Sequence, residues 1–183
     1  MGFNSPEWAI SYYGAMFHNN VVSGVYTTNG PSACKYQAEH SSAQVIVVDT
    51  EQQLKLYMGL LDQLPNIKAI VTWGCDSLPE EAAKDSRVFK FKDFLELGSK
   101  VDDAVIQQII NGQKPGNCVC LIYTSGTTGN PKGVMLSHDN LIFNSLSLAA
   151  TLIQGHDDPN IEHRVVSYLP LSHIAGLQMD LTN

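Results

Sequence analysis

Residues 123–134 read YTSGTTGNPKGV, and they hold the densest set of anion-binding groups in the chain. Three glycines, four aliphatic hydroxyls and one lysine lie within twelve positions. Glycine lets backbone N–H groups turn inward and approach a ligand closely. Thr124, Ser125, Thr127 and Thr128 add hydroxyl donors, and Lys132 adds a full positive charge. A polyphosphate requires that donor set. Lys132 is the only Lys or Arg between Lys114 and Arg164, so no solvated charge run accounts for it.

The spacing excludes the commoner phosphate loop. A Walker A motif needs Gly, four residues, then Gly-Lys-Ser/Thr. Five residues beyond Gly126 stands Pro131, and Lys132 is followed by Gly133. The unbroken run from Thr124 to Gly133 resembles instead the signature loop of the AMP-forming adenylating superfamily. That superfamily includes acyl-CoA synthetases, peptide-synthetase adenylation domains and luciferases. The resemblance implies nucleotide binding by Thr124, Ser125, Gly126, Thr127, Thr128, Gly129, Asn130, Pro131 and Lys132, with Lys132 also catalytic.

A second stretch, Tyr168-Leu169-Pro170-Leu171-Ser172-His173, reads two ways. By local physics Ser172 caps a helix starting near His173. The resemblance favours a functional reading, because acyl-CoA synthetases carry a similar segment ending in histidine beside the reacting carboxylate. His173 is therefore expected to orient that carboxylate, a task that suits a neutral imidazole donor. Ser137-His138-Asp139 is no catalytic triad, since three consecutive residues cannot align nucleophile, base and orienter. Ser137 and Asp139 read as capping residues. The remaining histidines show no metal spacing, and no role is assigned to His40.

Elements that could position these residues follow from periodicity and punctuation. Ser5-Pro6-Glu7 marks a helix start, with Ser5 as cap and Pro6 in the first position. Trp8, Tyr12, Ala15 and Met16 recur at helical spacing. Strands are expected at 21–26, 44–48, 67–73, 118–122 and 165–169. Helices are expected at 32–42, 51–64, 91–97, 101–111 and 141–153. Residues 75–88 and 155–163 read as loops. In the 141–153 helix Ile142, Leu146, Ala149 and Ile153 are expected to face the sheet. The fold class is α/β, a mainly parallel sheet flanked by helices. Ligands in such sheets bind beyond the carboxyl ends of strands, where 118–122 and 165–169 both lead.

Composition sets outer limits. The 183 residues are 44% hydrophobic with net charge −7. No basic stripe exists to track nucleic acid. No apolar run approaches a transmembrane length, and no basic-then-apolar leader opens the chain. Cys34, Cys75, Cys118 and Cys120 lack zinc spacing and read as reduced, mostly buried thiols, so a cytoplasmic setting is the default. Cys118 and Cys120, two apart in a strand, are expected to share one face.

Within the superfamily the chain most resembles the bubblegum-type long- and very-long-chain acyl-CoA synthetases. The supporting stretches are Gly2 through Trp8, Gly24-Val25-Tyr26-Thr27-Thr28, Cys34-Lys35-Tyr36, Phe94-Leu95-Glu96-Leu97-Gly98, and Val165 through Ala175. The likeness covers nearly the whole chain and weakens at 75–90 and 150–163. It implies part of the large N-terminal domain of an adenylating enzyme. That enzyme activates a fatty acid with ATP, Mg2+ and coenzyme A. A lipid substrate also makes peripheral contact with the endoplasmic reticulum membrane an expectation. Family members are several times longer and add a second glycine-rich adenine-binding segment, a ribose-binding acid and a C-terminal lid with a catalytic lysine. Those parts are not found here, and 176–183 drifts from the family pattern. Two alternatives stand beside this reading: an inactive nucleotide- or partner-binding fragment, and an adenylating enzyme for another carboxylic acid.

Overall fold

The computed structural model describes residues 1–124, 130–152, 164 and 166–181. Helix α1 (Pro6–Phe17) begins as its sequence dictates. The Ser5 hydroxyl accepts from the Trp8 amide, and Pro6 occupies the first turn. The short strand β1 (Val22–Ser23) and helix α2 (Pro31–His40) follow. Strand β2 (Val45–Val48) leads into α3 (Glu51–Met58), which opens on a capping box of Thr50 and Gln53. The expected long helix over 51–64 breaks at Gly59, and a 3-10 turn (Leu61–Gln63) carries Leu61 into the core. Strand β3 (Ala69–Thr72) comes next.

The expected loop at 75–88 contains helix α4 (Glu80–Lys84) and ends where strand β4 (Val88–Lys90) begins. Both elements are too short to show periodicity. Helices α5 (Phe91–Gly98) and α6 (Asp103–Gly112) precede β5 (Cys118–Thr124), β6 (Lys132–Ser137) and α7 (His138–Leu152). A short helix α8 (Ile174–Gly176) runs into a π turn (Leu177–Leu181).

Among the described residues the strands form two small sheets. One, in the order β2-β3-β4, is wholly parallel. The other, β1-β5-β6, pairs β1 with β5 in parallel and β5 with β6 antiparallel. The mainly parallel α/β class thus holds, with one hairpin added. Each sheet has its own core. Leu54, Tyr57, Ile70 and Val48 anchor the first, and Trp8, Tyr12, Val119, Ile122, Leu141 and Leu177 the second. Full burial of a side chain such as Leu54 or Ile70 contributes about 1.5–3 kcal/mol.

Three expectations are corrected. Cys118 and Cys120 do not share a face, because a bulge lies between them: Cys118 partners Ser137 while Cys120 already partners Leu136. Cys120 is buried and Cys118 only partly so. All four cysteines are free. Helix α7 turns Leu141 and Ser145 inward, while Ile142 and Leu146 are exposed. Its register is set by Gln178, whose side chain donates to the Leu141 carbonyl and to the Ser145 hydroxyl. Ile153 lies outside the described residues, as does the loop expected at 155–163. No strand forms at 166–169; Val166 and Tyr168 are 79% and 77% exposed.

One ion pair yields a pH prediction. The Arg87 guanidinium donates to both Asp85 carboxylate oxygens, at 3.0 and 2.7 Å. Those side-chain bonds, with the Arg87 amide, hold the Asp85 carboxyl down at about 2. A depressed carboxyl stabilises the fold above its unfolded pKa of about 4, and the contribution is lost as pH falls through 2. Carboxyl-detected NMR titration should therefore place the Asp85 midpoint near 2, rising towards about 4 in Arg87→Ala. An unmoved midpoint would contradict the pairing.

Candidate polyphosphate site

The β5–β6 hairpin frames the glycine-and-hydroxyl segment. Its last ladder pair sets Thr124 opposite Lys132, with Tyr123 opposite Gly133 behind it. Strand β5 is driven by burial of Val119, Cys120, Ile122 and Tyr123. Strand β6 is an edge with mostly half-exposed side chains, and Met135 is 71% exposed.

Of the nine predicted nucleotide-binding residues, Thr124, Asn130, Pro131 and Lys132 are described. Ser125, Gly126, Thr127, Thr128 and Gly129 lie outside the described residues. Thr124, Asn130 and Lys132 are exposed, and Pro131 is half-buried. Lys35, Lys55, Lys84 and Arg87 each pair with a carboxylate, and Lys132 belongs to none of these pairs. An exposed ammonium outside those pairs, across a two-strand ladder from a threonine hydroxyl, has the chemistry to meet a phosphate chain.

His173 stands on a different element of the same core. It is the N-cap of α8, and its Nδ1 accepts from the Ala175 amide at 3.1 Å. Ser172, expected as the cap, is instead buried. An accepting Nδ1 leaves the proton on Nε2, so the exposed edge of the ring is a neutral donor. The ring lies 6.4 Å from that of Tyr26. Leu171 and Leu177, on either side of His173, pack in the cluster that contains Val119 and Ile122 of β5. The hairpin and the His173 segment thus share one support.

Sequence reasoning overlooked the residue that holds this segment. Asn4 uses its whole amide. Its Nδ2 donates to the Leu169 carbonyl at 2.8 Å and to Ser167 Oγ at 3.1 Å, and its Oδ1 accepts from the Leu171 amide at 2.9 Å. One of these bonds takes up the Leu169 carbonyl, which a strand at 165–169 would have spent on a ladder. No local signal marks Asn4, because its partners are more than 160 positions away. Asn4→Ala should cost about 1–2 kcal/mol and accelerate hydrogen exchange at the Leu171 amide. Unaltered exchange there would exclude the role.

Size alone does not locate the chemistry. A cavity of about 690 Å³ opens between the sheets, lined by Trp8, Tyr12, Val47, Trp73 and Phe94 among others, and none of the described predicted site residues lines it.

Comparison with known proteins now assigns the class: residues 1–182 match the AMP-binding enzyme family, and the chain belongs to it. Among curated relatives it is 44% identical to the long-chain-fatty-acid–CoA ligase ACSBG2 of Xenopus laevis, over 99% of this chain and 24% of that protein. It is also 44% identical to ACSBG1 of Homo sapiens, with 99% and 24% covered. The chain thus spans about a quarter of the length of these relatives. Two solved structures share the fold. The putative long-chain-fatty-acid CoA ligase of Rhodopseudomonas palustris CGA009 aligns with TM-score 0.74 at 19% identity, over 99% of this chain and 40% of that one. The red-emitting luciferase of Phrixothrix hirtus aligns with TM-score 0.70 at 16% identity, over 99% and 33%. Among the described residues no helix is long and apolar enough to cross a membrane.

Proposed function

We propose that this chain is the triphosphate-gripping part of the N-terminal adenylation domain of a long- or very-long-chain fatty acid–CoA ligase, whose lid domain lies outside the 183 residues. What supports the reading most is the ladder pair of Thr124 and Lys132 at the mouth of the hairpin that carries SGTTGNP. The sequence identity to long-chain-fatty-acid–CoA ligases supports a long-chain fatty acid as the substrate class.

In the first step a carboxylate oxygen attacks the α-phosphorus of ATP. The bond to the β-phosphate breaks, and pyrophosphate leaves. Negative charge grows on the departing oxygens, and Lys132, the hydroxyls of Thr124, Ser125, Thr127 and Thr128, and the backbone N–H groups around Gly126 and Gly129 would stabilise it. Asn130 and Pro131 carry the chain back to β6. Mg2+ would arrive with the nucleotide and neutralise part of the charge on its phosphates. His173 would donate from Nε2 to the reacting carboxylate. In the second step the coenzyme A thiolate attacks the acyl carbon, the acyl–phosphate C–O bond breaks, and AMP leaves. Peripheral contact at the endoplasmic reticulum membrane fits a lipid acid as substrate.

The reading is tested in a complete ligase carrying this segment, with labelled long-chain fatty acid, Mg-ATP and coenzyme A. Equal yields of acyl-CoA, AMP and pyrophosphate are expected. Release of ADP, or no thioester from any long-chain acid, would refute it.

A further inference from the structure

We propose that helix α2 is the platform that sets the phosphate hairpin, with Tyr36 and His40 as positioning residues that hold its two strands. The proposal rests on the polyphosphate reading above. Tyr36 and His40 stand four apart on α2 and so project from one helix face. Their rings stack, with centroids 5.3 Å apart. From that face Tyr36 OH donates to the Pro131 carbonyl at 3.0 Å. His40 Nδ1 meets the Tyr123 hydroxyl at 2.8 Å. Tyr123 is the penultimate residue of β5, and Pro131 immediately precedes β6. One bond therefore fixes the strand that enters the signature segment, and the other fixes the strand that leaves it.

The surrounding packing is arranged for this contact. The Tyr123 side chain is 4% exposed, and its ring lies edge-on to both Tyr36 and His40. Its cross-strand partner is Gly133, where an added Cβ would stand 3.3 Å from the ring. The absence of a side chain at 133 lets the phenol lie across β6 and reach His40. Burial, with the Tyr36 phenol beside it, raises the Tyr123 hydroxyl, so it stays protonated and able to share a hydrogen bond with Nδ1. An edge strand with a largely exposed outer face has few other restraints at this end. Donors aimed at a polyphosphate act best when their geometry is fixed before the ligand arrives.

The test is Mg-ATP and inorganic tripolyphosphate titration of a complete ligase carrying this segment, with thermal melting in parallel. Tyr36→Phe and Tyr123→Phe each delete one hydroxyl and keep the aromatic packing. Each should weaken binding of both probes by the folded protein about five-fold, the worth of one hydrogen bond, with no more than a modest fall in melting midpoint. His40→Leu should do the same. His40→Asn, whose amide can stand where Nδ1 stood, should restore most of the affinity. A purely structural trio would lower the melting midpoint and leave the affinity of the folded fraction unchanged, and that result overturns the proposal. Lys132→Ala separates the two layers. Affinity that survives Lys132→Ala, or a wild-type chain that does not bind, refutes the polyphosphate reading and the positioning role with it. A wild-type site sensitive to Lys132 but indifferent to Tyr36, His40 and Tyr123 refutes the positioning role alone.

Discussion

Replacing Lys132 by alanine in a complete ligase carrying this segment should lower ATP–pyrophosphate exchange by about 10²–10³-fold and leave the melting midpoint nearly unchanged. The asymmetry follows from placement. Lys132 is exposed at the first position of an edge strand and takes part in none of the lysine and arginine ion pairs seen here, so the fold loses little with it. Charge develops on the leaving pyrophosphate only as the bond to the α-phosphorus breaks, so a fixed cation acts mainly on the transition state. The loss should accordingly show in kcat as well as in KM for ATP. Arginine at 132 keeps the charge but replaces a compact ammonium with a planar fork, so Lys132→Arg should recover only part of the rate. Wild-type exchange in Lys132→Ala would contradict the assignment.

The second large effect is expected at Gly176, just beyond His173. A Cβ there would stand 2.5 Å from the Pro170 carbonyl oxygen and 2.8 Å from that of Leu169. Both obstacles are backbone, so no side-chain rotation relieves the clash. Gly176→Ala must push α8 away from the 169–170 segment. Overpacking of this kind costs about 1–3 kcal/mol, or a fall of about 3–10 °C in melting midpoint for a chain of this size. Because Leu169 is also held by Asn4, the displacement would pass to His173. Fatty-acid-dependent exchange should then fall further than stability alone explains. A melting midpoint equal to wild type would show that the segment yields freely and does not fix His173.

Much of this architecture is legible from residue order, for identifiable reasons. Ser5-Pro6-Glu7 combines a hydroxyl cap, a fixed φ and a first-turn acid, and α1 starts there. The parallel strands β2 and β3 are short apolar runs bounded by helices, and both lie within the expected spans. Strand β6 escaped notice because Lys132-Gly133-Val134-Met135-Leu136-Ser137 lacks apolar–polar alternation, and an edge strand buries too little to need it. In α7 the adjacent apolar residues Leu141, Ile142 and Phe143 leave two faces equally plausible, and the Gln178 side chain decides between them.

The site shows the same division. The signature segment announces itself because its glycines, hydroxyls and lysine are adjacent in sequence. Its supports do not. Tyr36 and His40 look like any half-buried tyrosine and exposed histidine on a helix until Pro131 and Tyr123 arrive from 95 and 83 positions away. Asn4 reads as a helix entry, although its amide secures residues 167–171. Long-range polar contacts leave no periodic trace, so sequence patterning names the groups that face a ligand and misses those that hold them in place.

The most direct measurement is a crystal structure of a complete ligase carrying this segment, soaked with Mg-ATP or a non-hydrolysable acyl-adenylate mimic and pyrophosphate. The account predicts phosphate oxygens within hydrogen-bonding distance of Lys132 Nζ and the Thr124 hydroxyl, at the paired ends of β5 and β6. Nucleotide bound elsewhere, with Lys132 still facing solvent, would contradict it.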